Sequence, residues 1–313
     1  MTATGSASRL ETELAGLALQ NPILLASGTA GYGRELAGVI ALDALGGLVT
    51  KAVSLEPRAG AAAPRVAEFA GGMVNAIGLA NPGVEAVRGE HLPWLSRSLT
   101  RARVLVNVVG SAVEHFAQVI ARLDDAPGKH GFELNVSCPN VKAGGLEFGA
   151  DPRALREVVR LAREATRLPL FVKLSPSLGD IVTAANVALE AGASGLTLVN
   201  TMPGLVIDVE ERRPVLGFGS GGVSGPALLP IGVLATWRVF RATGAHIIGV
   251  GGVASATDVL QYVLAGASAV GIGTAALRDP RLPERIVVDL ASWCEVRGVD
   301  AVSALRGTLE WPA

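Results

Sequence analysis

Cysteine is scarce in this chain, since only Cys138 and Cys294 occur among its 313 residues. Two thiols cannot build a disulfide framework, and they cannot supply the four cysteine ligands of an iron–sulfur cluster from within the chain. Any iron–sulfur chemistry connected with this protein therefore has to come from another subunit. We expect Cys294 to occupy a buried position on a helix.

An excess of charge and a long apolar run are also missing. The 27 basic residues nearly balance the 28 acidic ones, and no basic run is interleaved with aromatic residues, so nothing predicts nucleic-acid binding. No uninterrupted apolar run reaches the roughly 18 residues of a membrane span. Residues 1–13 are polar where a signal peptide has its apolar core. We expect a cytoplasmic protein whose partner is a small molecule or another protein.

Two further classes of site lack their sequence signature. The four histidines have no metal-ligand spacing such as H-E-x-x-H, and we predict no metal site. Residues 217–222 and 249–254 match a bare G-x-G-x-x-G/A pattern. Neither match has an acidic residue about twenty positions further on to bind a ribose, so a dinucleotide site on this chain is not expected.

Apolar residues are abundant, at 50% of the chain, which is enough for a large core. Short apolar segments alternate with amphipathic ones. The predicted strands are residues 23–26, 47–50, 104–109, 132–136, 170–173, 196–200, 246–250 and 269–272, and predicted helices include 113–122, 152–167, 178–191, 225–241 and 257–265. This alternation predicts a single (β/α)8 barrel domain over residues 1–313. Residues 10–19 indicate a hairpin that closes the bottom of the barrel, and residues 201–224 a long functional loop after the sixth strand.

Polar residues and glycines follow the predicted strands. In a (β/α)8 barrel the active site lies at the carboxyl ends of the strands. These ends carry Ser27, Lys51, Asn107, Asn135, Lys173, Asn200 with Thr201, Gly251 with Gly252, and Gly273 with Thr274. Taken alone, each residue is equally compatible with a turn or a solvated strand end, but together they predict one site. The last two pairs supply unobstructed backbone N–H groups where such barrels commonly bind phosphate.

The stretch from Asn135 to Asn140 places the thiol of Cys138 beside two amides, in the turn after the fourth strand. A cysteine acts as a base or nucleophile through its thiolate, whose pKa neighbouring cations and helix N-termini lower. The alternative is a small buried hydrophobic residue.

The chain resembles the dihydroorotate dehydrogenases, and among them the class 1B catalytic subunits. The resemblance runs over nearly the whole sequence. It is carried by the segments at residues 26–29, 50–52, 75–79, 81–83, 135–140, 172–176, 200–201 and 222–226, by Asn107, and by the two glycine pairs. Residues 141–146 and 224–227 resemble class 1B more than the fumarate-using class 1A.

This resemblance implies an FMN-dependent oxidation of dihydroorotate to orotate in pyrimidine (UMP) biosynthesis, with Cys138 as the base and hydride transfer to FMN. Lys51 and Lys173 would also be catalytic, Lys173 by placing positive charge near the flavin. The implied substrate residues are Lys51, Asn75, Ala76, Ile77, Gly78, Leu79, Asn135, Asn200 and Thr201. The implied FMN residues are Ser27, Lys51, Ala52, Asn107, Asn135, Lys173, Val199, Gly225, Gly251, Gly252, Gly273 and Thr274.

The resemblance also implies a partner. Electrons would pass to NAD+ through an electron-transfer subunit that carries FAD and a 2Fe-2S cluster, and a homodimer of this chain would form the core of a heterotetramer. The sequence departs from the family pattern in two places. Residues 58–65 lack an Asn-Pro pair, which predicts a looser loop, and Phe218 stands where an asparagine is common.

Three alternatives stay open. One is a non-redox barrel enzyme that uses Lys51 or Lys173 as a Schiff base on a phosphorylated substrate. Another is a flavin-bearing barrel that serves only as a binding or scaffold subunit. The third is a related flavoenzyme that acts on uncharged dihydropyrimidines. A lysine at position 51 that faces a carboxylate favours orotate over such an uncharged ring.

Overall fold

Eight parallel strands form a closed barrel in the computed structural model, which describes residues 9–137, 139–140 and 146–312. The barrel strands, numbered one to eight here, are Ile23–Leu25, Gly47–Val49, Arg103–Val108, Gly131–Asn135, Leu170–Leu174, Gly195–Leu198, Ile247–Val250 and Ala269–Ile272. The eighth strand pairs with the first, which closes the ring. The predicted barrel is confirmed, and each strand boundary falls within two residues of its predicted position.

Helices surround the barrel. The α-helices are Val84–Ala86, Leu92–Ser98, Val113–Leu123, Pro152–Glu164, Ile181–Glu190, Leu229–Thr243, Ala256–Ala265, Thr274–Arg278 and Leu282–Val296, and a π-helical turn spans Val87–His91. Short 3-10 turns span Leu42–Ala44, Phe148–Ala150, Pro226–Leu228 and Val302–Leu305. None of these helices is long and apolar enough to cross a membrane in the part of the chain that the structure describes.

Capping residues explain where several helices begin. Asp180 accepts hydrogen bonds from the backbone N–H groups of Val182 and Thr183, so the helix starts at Ile181 rather than at the predicted Leu178. Asp151 caps the following residues in the same way, with Pro152 in the first helical turn. The helix predicted to begin at Gly225 begins at Leu229, after a 3-10 turn.

The bottom of the barrel is closed by the predicted hairpin, which consists of strands Thr12–Leu14 and Leu17–Leu19. Its side chains Leu14 and Leu19 are buried and pack against interior residues of the barrel strands, which include Leu105 and Phe171. Because side chains alternate along a strand, Phe171 and Lys173 face the same interior. The apolar layer at the bottom is therefore followed directly by a polar layer above it.

A second sheet lies over the opposite end of the barrel, and we call it the rim sheet. It contains strands Val66–Phe69, Gly72–Asn75, Met202–Gly204 and Gly221–Ser224 in antiparallel order. The last two strands belong to the segment predicted as a long loop. That segment is therefore more ordered than predicted, because Gly221–Ser224 pairs with Gly72–Asn75 from the excursion after the second barrel strand.

Candidate active site

The polar layer inside the barrel is built from four buried side chains on neighbouring strands. Asn107 and Glu133 are on strands three and four, and they are 0% and 1% exposed. Lys173 and Thr197, on strands five and six, are 7% and 1% exposed. The Asn107 Nδ2 and Thr197 Oγ1 atoms both donate to the Glu133 carboxylate, each at 2.7 Å. The predicted site residues Asn107 and Lys173 thus lie within the barrel rather than on its edge.

Some polar atoms of this layer have no protein partner among the described residues. The Asn107 Oδ1 atom is buried without a hydrogen bond, as is the Ser137 Oγ atom just beyond strand four. The ammonium group of Lys173 has no ion pair within the described ranges. Since buried polar and charged groups are normally paired, these atoms indicate where a polar ligand binds.

Above this layer the predicted amide residues come together. The Asn200 Nδ2 atom donates to Asn135 Oδ1 at 3.3 Å, although the two residues lie at the ends of different strands. Asn75 donates from Nδ2 to the Gly222 carbonyl at 3.2 Å. Thr201 lies against the same glycine, because a Cβ atom on Gly222 would approach the Thr201 Oγ1 atom to 2.1 Å. The rim sheet therefore carries Asn75, and Thr201 directly precedes its strand Met202–Gly204, so both lie on one side of the barrel mouth.

The first and second strand ends are joined by hydroxyl groups. Ser27 donates from Oγ to the Thr50 carbonyl at 3.0 Å, which places it beside Lys51. Lys51 is half-buried, and its backbone N–H donates to the Gly31 carbonyl at 2.8 Å. The neighbouring Ala52 carbonyl accepts a hydrogen bond from the buried Tyr32 hydroxyl at 3.0 Å. Burial raises the pKa of Tyr32, so this hydroxyl stays a donor.

The loop at residues 75–79 is held from below by Asn81, which is 8% exposed. Its Nδ2 atom donates to Ser54 Oγ and to the Leu79 carbonyl, both at 2.8 Å. Its Oδ1 atom accepts from the N–H groups of Ser54 and Gly83, at 3.2 and 2.9 Å. Leu79 has a φ of 57°, a left-handed conformation that is unusual for leucine, so the loop conformation depends on this anchoring.

The segment predicted to form a looser loop is tied to itself by Arg65. Its guanidinium group donates to the carbonyls of Ala61 and Ala59, at 2.6 and 2.9 Å. Its carbonyl accepts from the Ala76 N–H at 2.8 Å. The Arg65 side chain therefore closes this segment on itself, and its backbone carbonyl connects the segment to the loop at residues 75–79.

Gly251 and Gly252, where the sequence predicts a phosphate site, follow strand seven, and we call them the glycine corner. Gly251 and Gly252 have φ angles of +129° and +75°, and a Cβ atom on Gly252 would approach the Leu229 backbone nitrogen to 2.6 Å. The hydroxyl group of the buried Tyr262 donates to the Gly251 carbonyl at 2.9 Å, which fixes the orientation of this peptide group. Only glycines allow so close an approach of backbone groups.

The eighth strand end is connected to the rim sheet. Thr274, which follows Gly273, donates from Oγ1 to the Ser224 Oγ atom at 2.8 Å. Gly225 is buried next to Ser224, and its neighbour Gly72 leaves no room for a side chain, because a Cβ atom on Gly225 would lie 2.8 Å from the Gly72 Cα atom. Val199, which directly follows strand six, is buried and donates from its N–H to the Val250 carbonyl at 2.9 Å.

The proposed base lies outside the described residues, as do residues 141–145. Cys138 therefore remains a prediction from the sequence. Its flanks are described: Asn135 is the last residue of strand four, and Val136 and Ser137 follow it. Cys294 is confirmed at a buried position of helix Leu282–Val296, where burial raises the pKa of its thiol.

The sequence interpretation missed Glu133, Thr197, Asn81 and Tyr262 as site-forming residues. A signal was present for Glu133, because it is an acidic residue in the middle of an otherwise apolar strand. Such a residue is almost never fully buried unless it is paired. For Tyr262 and Thr197 no sequence signal separates them from ordinary core residues.

Fold and site together define a (β/α)8 barrel enzyme with a glycine corner after its seventh strand and a cluster of polar residues at the carboxyl ends of its strands. A sequence model of the family described as Dihydroorotate dehydrogenase matches residues 9–293. The chain belongs to this family.

Curated relatives are similar over nearly their whole length. The chain is 48% identical over 301 residues to a Pelobacter propionicus protein, covering 96% of this chain and 98% of that protein. It is 47% identical over 294 residues to one from Desulforudis audaxviator, covering 94% and 95%. It is 46% identical over 300 residues to one from Anoxybacillus flavithermus, covering 96% of each. All three are named dihydroorotate dehydrogenase B (NAD(+)), catalytic subunit.

Proposed function

We propose that this chain is the catalytic subunit of an NAD+-linked dihydroorotate dehydrogenase and oxidises dihydroorotate to orotate in pyrimidine biosynthesis. The observation that carries the proposal is the polar layer inside the barrel, where, in the described part of the chain, Asn107 Oδ1 has no hydrogen-bond partner and the buried Lys173 ammonium group has no ion pair. In a member of this family, that layer has the polarity required by a flavin and a small planar anion.

The residues fit FMN as the cofactor. The glycine corner at Gly251 and Gly252 leaves backbone N–H groups free of side chains for a phosphate. Asn107 offers an unpartnered acceptor to a ring N–H, and Lys173 offers a positive charge. The remaining proposed FMN residues, which line the same end of the barrel, are Ser27, Lys51, Ala52, Asn135, Val199, Gly225, Gly273 and Thr274. Bound FMN would supply the hydride acceptor.

Dihydroorotate would bind on the rim-sheet side of the pocket. Its carboxylate suits Lys51, and its ring amide groups suit the side chains of Asn135, Asn200 and Asn75 with Thr201. The Asn200 and Asn135 amides already contact each other at 3.3 Å, so they are positioned for a planar ligand with alternating donors and acceptors. The loop at residues 75–79, anchored by Asn81, would cover the ligand.

The Cys138 thiolate would take the proton from C5 of the substrate. The electron pair of the C5–H bond then forms the C5=C6 double bond, while hydrogen leaves C6 with its electron pair as hydride. The thiolate thus acts as a base and forms no covalent bond to the substrate. Lys173 would stabilise the negative charge that accumulates at the acceptor, because a preorganised positive group costs no reorganisation when the charge appears.

The electrons would leave through a second subunit. This chain has only two cysteines, too few for an iron–sulfur cluster held by cysteine alone. A partner with FAD and a 2Fe-2S cluster would pass the electrons to NAD+, around a homodimer of this chain in a heterotetramer. The word "subunit" in the relatives' names supports this assignment.

An experiment that compares electron acceptors tests this proposal. The purified FMN-loaded chain is mixed with dihydroorotate and NAD+, with or without the electron-transfer subunit, and NADH formation is followed. NADH is expected only when the partner is present. Fast turnover of the chain alone with fumarate would contradict the class 1B assignment.

A substrate control tests the role of Lys51. Dihydrouracil lacks the carboxylate, so the Lys51 ammonium group would be left without its partner. Dihydrouracil is therefore expected to reduce the flavin at least about 100-fold more slowly than dihydroorotate. Equal rates would favour an enzyme of uncharged dihydropyrimidines.

A further inference from the structure

Glu133 is an acidic residue in the interior of the barrel, and no part of the proposed chemistry uses it. It is 1% exposed, and both of its carboxylate oxygens accept hydrogen bonds. Oε1 accepts from Asn107 Nδ2, and Oε2 accepts from Thr197 Oγ1, each at 2.7 Å. A buried carboxylate costs stability unless such partners are present, so these two hydrogen bonds make the burial of Glu133 possible.

The position of the carboxylate relates it to the polar layer. Its two partners are on strands three and six, and strand five lies between strands four and six. The hydrogen-bonded network of side chains therefore spans strand five. On strand five, Phe171 is in register with Glu133, and Lys173 is in register with Asn135. The network therefore lies between the apolar bottom and the residues that face the ligand pocket.

The bond to Glu133 decides which atom Asn107 presents to the pocket. An asparagine amide has a donor end and an acceptor end, and rotation by half a turn exchanges them. A carboxylate can only accept, so it holds the Nδ2 end. The Oδ1 end is then left, buried and unpartnered among the described residues.

We propose that Glu133 is a positioning residue for the flavin site, which acts through Asn107 by fixing its Oδ1 atom as an acceptor for an N–H group of the FMN ring. The inference rests on the proposed function, since it takes FMN as the ligand. Without Glu133, Asn107 turns its donor end to the ring for part of the time, and FMN is bound more weakly.

The test measures the dissociation constant of FMN by its release from the holoprotein on dilution, followed by FMN fluorescence. Glu133→Met with Thr197→Val replaces the carboxylate and its hydroxyl partner by apolar groups of similar size, which avoids a new unpaired group between them. We expect FMN binding to weaken at least about tenfold, as when supporting hydrogen bonds of a ligand site are lost.

Two matched variants isolate the cause. Thr197→Val alone leaves the Asn107 bond intact, and FMN affinity should stay within about threefold of the wild type. Glu133→Gln should also keep FMN affinity close to that of the wild type, because the glutamine Oε1 atom can accept from Asn107 while its Nε2 atom donates to Thr197. In an Asn107→Ala background, the Met and Val replacements should cause no further loss. Persistence of the loss in that background, or unchanged FMN affinity of the Met and Val double variant, would overturn the proposal.

A reciprocal exchange keeps the test decisive if the Met variant does not fold. Asn107→Asp places two carboxylates together and should weaken FMN binding. Adding Glu133→Gln should restore it, because the glutamine amide can donate to Asp and accept from Thr197. Failure to restore binding would overturn the proposal. Wild-type protein that does not hold FMN would instead overturn the proposed function itself, before any variant is compared.

Discussion

The two ends of the barrel are built from the same eight strands but have opposite chemistry. At the bottom, Leu14 and Leu19 of the hairpin pack on apolar interior side chains such as Phe171. Two residues further along strand five, Lys173 faces the mouth without an ion pair in the described part of the chain. The Asn107 Oδ1 atom on strand three is likewise buried and unpartnered there.

This difference shows how the fold separates stability from function. The bottom is held together by apolar contacts, whereas the mouth contains buried polar atoms that have no partner among the described residues and that a ligand would satisfy. A step of two residues along a strand is sufficient, because alternate side chains share one face. Substitutions at the mouth should therefore change ligand chemistry with little effect on folding, and substitutions at the bottom should do the reverse.

The largest effect is expected at the mouth, from Cys138→Ala. Removal of the general base should slow flavin reduction by dihydroorotate by about 10²–10⁴-fold. FMN should remain bound, because the cysteine holds no cofactor atom in the proposed site. Stopped-flow absorbance of the flavin measures the rate, and Cys294→Ala, a change at the other thiol, serves as the matched control. A rate within a few fold of wild type for Cys138→Ala would show that another group takes the proton.

The next effect belongs to the bottom. Leu14 is 1% exposed in the hairpin, and Leu14→Ala should lower the free energy of unfolding by about 2–5 kcal/mol, through lost burial and the cavity left behind. The folded fraction should still bind FMN and be reduced at the wild-type rate. Chemical denaturation measures the first quantity, and Ala18→Ser, on the exposed side of the same hairpin, should change it little. A folded Leu14→Ala protein without FMN would mean that the two ends are coupled.

A smaller, pH-dependent effect is expected from His130, which precedes strand four at the bottom. Its Nδ1 atom accepts from the Val104 N–H at 3.1 Å, and burial, with Arg103 and Lys129 nearby, lowers its pKa below the usual 6.5. The unfolded chain thus binds this proton more readily than the folded one. Its contribution to stability is complete above pH 6.5 and is lost as the pH falls from there through the folded pKa.

The measurement is the free energy of unfolding at a series of pH values between about 5 and 8. It should decrease toward the acidic end, and the decrease should be smaller in His130→Gln. An identical pH profile in the variant would show that His130 does not contribute to the pH dependence of stability. Rates of flavin reduction at the mouth should not depend on this substitution.

The smallest effect is expected at Phe218, which is 71% exposed in the segment between the strands of the rim sheet. Phe218→Asn introduces the residue that the family resemblance predicts at this position. The free energy of unfolding should change by no more than about 0.5 kcal/mol, since an exposed side chain loses little on truncation. Thermal denaturation checks this. A loss above about 1 kcal/mol would contradict the description of Phe218 as an exposed side chain that contributes little to stability.

The sequence predicted the barrel well because each strand is short, apolar and followed by polar or glycine residues. It failed where structure depends on distant pairing. Gly72–Asn75 and Gly221–Ser224 are joined in the rim sheet, yet neither has the alternating pattern of a strand. For the site, the sequence predicted residues from their position at strand ends, and Lys51 and Asn135 do lie at the carboxyl ends of their strands.

The network of Glu133 was not predictable in this way. Its three members come from strands three, four and six, and only the closed barrel brings them together. The sequence shows an acidic residue within an apolar strand, but it does not show what the carboxylate contacts.

The measurement that tests the central claim most directly is an anaerobic titration of the purified, FMN-loaded chain with dihydroorotate, followed by the flavin absorbance. The account predicts that the oxidised flavin band bleaches at close to stoichiometric dihydroorotate, without any partner subunit. A flavin band that stays unchanged in excess dihydroorotate would contradict the account.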